Sequence, residues 1–182
     1  IGSICRKIVR KVVSGDSAAE AKYKITPKEV HELLGQRKYS LDEVKSRPAR
    51  GCAIGMAWTS YGGTILTVET TMMPGKGLLK LTGSLGNVMK ESAETAFSYV
   101  RAHARHYNIN KDVFEQNDFH IHVPDGATPK DGPSAGITIV TALVSLLTRK
   151  RVRPRLSMTG EITLSGKVTA IGGLKEKSVA AL

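Results

Sequence analysis

The sequence predicts an α+β fold, on three observations. Some stretches carry apolar residues at helical spacing, whereas others alternate or run apolar over a few residues, as strands do. Glycine- and proline-rich turns separate consecutive strand-like runs, which indicates hairpins rather than a regular βαβ repeat. With 182 residues, 41% hydrophobic and 24% charged, the chain can bury one sizeable core with part of a second.

Taken in order, Ile4, Ile8, Val9, Val12 and Val13 recur at helical spacing, with Arg6, Lys7, Arg10 and Lys11 on the other face. Ser14-Gly15-Asp16 ends that helix. A second starts at Thr26 as N-cap, with Pro27 at the first position and Glu29 completing a capping box, and closes at Leu33-Leu34-Gly35. Two short helices cannot bury their own apolar stripes, so residues 1–36 are expected to end another, larger domain. Residues 37–50, with Lys45-Ser46-Arg47-Pro48-Ala49-Arg50, have linker composition. The main domain is expected over 51–182.

Within it, Cys52 to Thr59, Thr64 to Thr70 and Leu78 to Thr82 read as strands, with Gly62-Gly63 and Pro74-Gly75-Lys76-Gly77 as turns. A helix is predicted from Leu85 to Tyr107, its buried stripe being Met89, Ala93, Ala96, Val100 and Ala104. Phe119 to Val123 is the next strand, and Ile137 to Leu147 a buried helix. Strands are expected near Leu156–Thr159, Thr163–Leu164 and Lys167–Ile171, with a turn at Ser165-Gly166. Gly172-Gly173 then opens a last helix.

Composition narrows the function classes. No apolar run approaches the roughly 20 residues needed to span a bilayer, and the N-terminal residues lack the shape of a signal peptide. Cys5 and Cys52 form no framework; both are expected to be buried small hydrophobes in a reducing compartment. The net charge of +11 permits nonspecific polyanion affinity, to DNA or polyphosphate. With only 5% aromatics, none interleaved with the basic residues, base stacking is not indicated. The densest basic block, Arg149 to Arg155, follows a helix, where cations favour the C-terminal dipole end. The chain has no Gly-x4-Gly-Lys-Ser/Thr run, which excludes a P-loop nucleotide site in it. A kinase using a serine-rich helix N-terminus is disfavoured because this loop has one serine after a proline.

The run Pro129-Lys130-Asp131-Gly132-Pro133-Ser134-Ala135-Gly136 delivers one serine to the start of the apolar helix. Ser134 there is either an ordinary cap or a nucleophile close to backbone donors and the positive end of a helix dipole. A nucleophile needs a base. His120 and His122 face the same side of a strand, and His103 and His106 lie on a charged helix, but no spacing selects one of them. Two histidines with no third ligand at fixed spacing make a weak metal site. Satisfied imidazoles on a half-buried strand are the expectation. A lysine is the other candidate, provided its pKa falls from about 10.4 towards 7–8 through burial or neighbouring positive charge. Lys175 and Lys177 lie two apart, so only one can reach a given site, and periodicity does not decide which.

Two long motifs together resemble the Lon protease family, of the bacterial and mitochondrial type with a fused ATPase. They are Asp125 to Gly136, with aspartate at 125 where glutamate is usual, and Met158 to Leu164 continuing through Ile171-Gly172-Gly173-Leu174-Lys175-Glu176-Lys177. Ala57-Trp58-Thr59, Gly62-Gly63 and Thr82 to Ser92 support the match, which covers essentially the whole chain; the membrane-anchored archaeal branch fits less well. The resemblance implies a Lon-type proteolytic domain preceded by the last helices of an AAA+ small subdomain. It implies a serine endopeptidase of the endopeptidase La type, with Ser134 as nucleophile and Lys177 as general base and then acid. Thr159 would orient the lysine amine, and Asp131 would shape the loop, although its charge close to Lys177 would raise the lysine's pKa. Backbone N–H groups around Ser134 and Ala135 would serve an oxyanion hole; Trp58, His120 and His122 are given no catalytic role.

The same resemblance implies a homo-hexamer acting on unfolded or degron-bearing proteins, misfolded and regulatory ones among them. Its setting would be the bacterial cytoplasm, or the mitochondrial matrix in a eukaryote, with no membrane partner. No cofactor is implied for this stretch; ATP and magnesium would belong to an ATPase module before Ile1. A further strand and helix are expected after Leu182. Alone, the stretch would cleave small or unstructured peptides without hydrolysing ATP or unfolding substrates. Two rivals stand beside this reading. One is a Lon-like scaffold that has lost catalysis, against which the presence of both Ser134 and Lys177 argues. The other is a basic nucleic-acid-associated domain, which would show salt-dependent DNA binding without proteolysis.

Overall fold

The computed structural model describes residues 1–15, 24–35, 48–59, 62–124 and 129–181. The chain forms two compact units, Ile1–Glu43 and Val44–Leu182. In the first, α1 (Gly2–Val13) and α2 (Pro27–Leu34) each present one apolar side. Ile4, Ile8 and Val12 are the half-buried residues of α1, and Leu33 is buried on α2. The capping box forms: Thr26 N–H donates to Glu29 Oε2 at 2.7 Å, and Glu29 N–H donates to Thr26 Oγ1 at 3.4 Å. Cys5 is exposed and Cys52 half-buried, against the expectation that both are buried. Cys5 follows Ile4 by one position and so sits about 100° around the helix from that stripe.

The second unit is built on a five-stranded sheet of order β3-β4-β2-β1-β5. Strands β1 (Cys52–Thr59) and β2 (Gly62–Pro74) form an antiparallel hairpin, in register from Cys52 opposite Glu69 to Thr59 opposite Gly62. Strand β3 (Leu79–Thr82) runs parallel to β4 (Asn117–His122), which pairs antiparallel with β2. Strand β5 (Ser157–Met158) runs parallel to β1. A separate ribbon joins β6 (Glu161–Ile162) to β7 (Val168–Thr169). The helices are α3 (Asn87–Ala102), α4 (Val113–Gln116), α5 (Gly136–Thr148) and α6 (Leu174–Ala180).

Alternation puts Ala53, Val68, Phe119 and Ile121 on one face of the sheet, where they pack with Met89, Ala93, Ala96 and Val100 of α3 and Ile139 and Leu143 of α5. Phe97, Phe114 and Phe119 meet there with ring centroids 5.0 to 5.8 Å apart. The expected stripe of α3 is buried throughout, but the helix ends at Ala102 and not at Tyr107. A separate 3-10 turn, Ala104–Tyr107, keeps Ala104 in the core.

Other expectations shift. Gly62 and Gly63 are the first residues of β2, not a turn, and β2 continues past Thr70 to Pro74. Residues 60 and 61 lie outside the described set, as do 16–23, 36–47, 125–128 and 182, and with them most of the expected linker. The strand expected at Thr163–Leu164 is Glu161–Ile162, because Thr163 already opens a turn, its carbonyl accepting Gly166 N–H at 2.9 Å. Between α5 and β5 the chain exposes Arg149, Lys150, Arg151, Arg153 and Arg155 around the buried Val152. Among the described residues no helix is long and apolar enough to cross a membrane.

Candidate active site

Gly132, at φ +115°, turns the chain into a single 3-10 turn, Pro133–Ala135, and α5 follows directly. The N-cap of α5 is Ala135, and no side chain caps either this helix or the 3-10 turn. Ser134 is therefore not a capping serine, which corrects that part of the sequence reading. Its Oγ instead accepts a hydrogen bond from Lys177 Nζ at 3.0 Å.

Neighbouring elements fix the loop that holds this serine. Lys130 pairs by backbone with the Ser84–Gly86 stretch, through Gly86 N–H to Lys130 O at 2.7 Å and Lys130 N–H to Ser84 O at 3.1 Å. Asp131 Oδ1 accepts from Met89 N–H and Gly132 N–H, each at 2.9 Å. Its carboxylate thus does for α3 what the N-cap Gly86 cannot, satisfying a first-turn donor and meeting the positive dipole end. A Cβ on Gly86 would lie 2.3 Å from the Asp131 carboxyl carbon, so only glycine fits beside it. Ser92 Oγ donates to the Pro133 carbonyl at 3.0 Å. On the other side, Gly160 N–H donates to the Ser134 carbonyl at 2.8 Å and Ile137 N–H to the Gly160 carbonyl at 3.0 Å.

Lys177 comes from α6 and is only 4% exposed, whereas Lys175 is on the exposed side. This resolves the choice that periodicity left open. Besides Ser134, the amine donates to Thr159 Oγ1 at 3.2 Å, and that hydroxyl in turn reaches the Ser134 carbonyl at 3.3 Å. Serine, lysine and threonine close a triangle. Burial pushes the Lys177 pKa below the ordinary lysine value, since desolvation disfavours the ammonium. Asp131 is turned onto α3 and is not among the causes of that shift.

The glycines around α6 explain how it docks. A Cβ on Gly63 would stand 2.0 Å from the Glu176 carbonyl oxygen, and Gly173, at φ +66°, starts the helix against Trp58. Trp58 itself is 59% exposed.

The histidines are occupied elsewhere. His120 Nε2 and His122 Nδ1 share the Thr82 hydroxyl, at 2.8 and 2.7 Å. Burial, then the charges of Lys80 and His122, lowers the His120 pKa. His103 Nδ1 donates to the Tyr99 carbonyl at 2.9 Å. Among the described residues no group of three or more His, Cys, Asp or Glu is placed to hold a metal. Two contributors had no assigned part in the sequence reading: Ser92 and Gly160. For Ser92 a signal existed, since it is a polar residue inside the apolar stripe of α3.

The geometry offers a hydroxyl next to an amine whose neutral form is favoured by burial, a pair suited to acyl transfer. Comparison with known proteins points the same way. Residues 24–182 match the family model described as Lon protease (S16) C-terminal proteolytic domain. Similar relatives include the Lon protease of Desulfosudis oleivorans, 52% identical over 181 residues, all of this chain and 22% of that protein. The Lon protease of Clostridium acetobutylicum is 50% identical over 181 residues, with 23% of its length covered. That of Geobacter metallireducens is 52% identical over 182 residues, with 22% covered.

Proposed function

Since the chain belongs to the Lon protease family, as its C-terminal proteolytic domain, we propose that Ser134 and Lys177 form its catalytic dyad. The observation that carries this is the 3.0 Å contact between the hydroxyl and the buried amine. Neutral Lys177 takes the Ser134 proton as Oγ attacks the peptide carbonyl. The resulting ammonium then protonates the leaving amine, and an acyl-serine ester remains. Water attacks the ester with Lys177 again as base, releasing the acid and restoring the hydroxyl. Thr159, by donating to the Ser134 carbonyl, keeps its lone pairs for the lysine amine and so orients it. Asp131 holds the loop on α3, and the N–H groups of Ser134 and Ala135 supply the oxyanion donors.

The chain spans about a fifth of the length of the curated relatives it matches. The wider activity therefore belongs to the proposal: ATP- and magnesium-dependent unfolding by an ATPase module, and a hexameric assembly. So do degradation of misfolded and regulatory proteins, and a cytoplasmic or mitochondrial-matrix setting. Affinity for DNA or polyphosphate is supported by the five exposed cations around Val152.

The test uses Ser134→Ala, Lys177→Ala and Lys175→Ala in the full-length protein, assayed on an unfolded protein with ATP and magnesium. Loss of a nucleophile or its base is expected to cost roughly 10³-fold or more, the loss in subtilisin being about 10⁶-fold. The first two variants are expected to fall by that much, while Lys175→Ala keeps most activity. Proteolysis retained by either of the first two removes the dyad.

A further inference from the structure

The peptide units on the two sides of Ser134 are pinned by two different elements. After it in the chain, the Ser134 carbonyl accepts from Gly160 N–H at 2.8 Å and Thr159 Oγ1 at 3.3 Å, both from the stretch joining β5 to β6. Before it in the chain, the Pro133 carbonyl accepts from Ser92 Oγ of α3 at 3.0 Å as well as from the Gly136 N–H that closes the 3-10 turn. Ser92 is 7% exposed and lies among Met89, Ala93 and Ala96, where an apolar side chain would satisfy the packing. A buried hydroxyl in an apolar stripe is retained without cost only if it is bonded, and this one is bonded to the residue before the serine. We propose that Ser92 is a positioning residue for the nucleophile, setting the peptide plane from which Ser134 departs; this rests on the reading of Ser134 as nucleophile.

The reasoning follows from backbone geometry. The pyrrolidine ring fixes φ at Pro133, so its ψ is the free torsion before the next peptide plane. Holding the Pro133 carbonyl sets that torsion, and with it the Ser134 N–H, which lies trans to the carbonyl in the same plane. The hydrogen bond from α3, added to the local one from Gly136 N–H, therefore fixes the backbone donor and the plane from which the nucleophile's Cα departs. Ser92 does this from α3, on a different peptide unit from the one held by Thr159 and Gly160, and its hydroxyl is not a partner of the Lys177 amine.

The experiment compares Ser92→Ala and Ser92→Cys with the parent and with Ser134→Ala. The full-length protein is used, with ATP, magnesium and a short unstructured fluorogenic peptide. Displacements of about 1 Å cost on the order of 100-fold, so Ser92→Ala is expected to lower kcat by about 10- to 100-fold. KM should stay within about two-fold, because Ser92 is buried and its hydroxyl is taken by the Pro133 carbonyl. The acid limb of the rate profile should stay in place, because the burial of Lys177 is untouched. Ser92→Cys, a weaker donor of similar shape, should fall between the two. An unchanged kcat in Ser92→Ala overturns the proposal, as does a shifted acid limb, which would make Ser92 a partner of the lysine. If Ser92→Ala is unfolded at the assay temperature, Ser92→Cys decides: lowered kcat at parental KM supports the proposal, and parental kcat overturns it. Activity in Ser134→Ala would instead overturn the nucleophile reading, whatever Ser92 does.

Discussion

A lysine that is to accept a proton at Ser134 must spend time unprotonated, and burial of Lys177 lowers its pKa in that direction. The same shift couples stability to pH. The folded lysine binds its proton less readily than the unfolded one. Between the folded pKa and the ordinary lysine value, the unfolded state therefore holds more protons, and stability rises with pH through that window. Below the window the penalty for burying the ammonium is fully present. Lys177→Met lacks this dependence, so the parent's melting temperature should climb relative to the variant's between pH 7 and pH 10. A gap that stays constant would show that burial does not shift this amine. The residue's role was only half legible in the sequence. Helix α6 exposes both Leu174 and Val179 and docks through backbone against Gly63, so it has no apolar stripe from which the inward side could be read. Ser134 was equally open from local pattern, as cap or nucleophile, and for it, Thr159 and Lys177 alike the expected part came from the long motifs.

At the scale of elements, Gly63 shows how composition can mislead. A Gly-Gly pair between two strands reads as a turn, yet both residues pair in β2, and Gly63 is small because the backbone of α6 crosses it. Gly63→Ala would place a methyl 2.0 Å from the Glu176 carbonyl oxygen. Overpacking of this kind costs about 1–3 kcal/mol, and here the strain falls on the helix that carries Lys177. The variant should keep its sheet, as judged by circular dichroism, while peptide cleavage drops about 10-fold or more. Equal cleavage would mean α6 can move without disturbing the amine. Local pattern sufficed to place α1, α2, α3 and α5, whose apolar stripes lie within each segment, with a capping box marking the start of α2. It did not suffice for Thr71 to Pro74, which are strand only because distant β4 pairs with them. The short α4 and β6 were likewise out of reach, being four and two residues long.

Across the whole molecule, 27 Lys and Arg face 16 Asp and Glu, and five of the eleven excess positive charges lie together where the chain leaves α5. Each phosphate neutralised contributes a slope of about −0.9 in log affinity against log salt. Arg149→Glu combined with Arg151→Glu and Arg153→Glu is expected to flatten the salt dependence of duplex DNA binding while leaving peptide cleavage near the parent's. An unchanged slope would move the polyanion contact elsewhere. Topology was the least legible property at this scale, because β5 joins β1 in parallel across most of the domain. The order of parts along the chain also has a consequence in time. Lys177 follows Ser134 by 43 residues, and at about 5–20 residues per second a ribosome needs roughly 2–9 s to add them. Under the proposed dyad, the nascent chain bears a nucleophile without its base throughout that interval. On that reading, a growing chain cannot cut itself or its neighbours before α6 has been made.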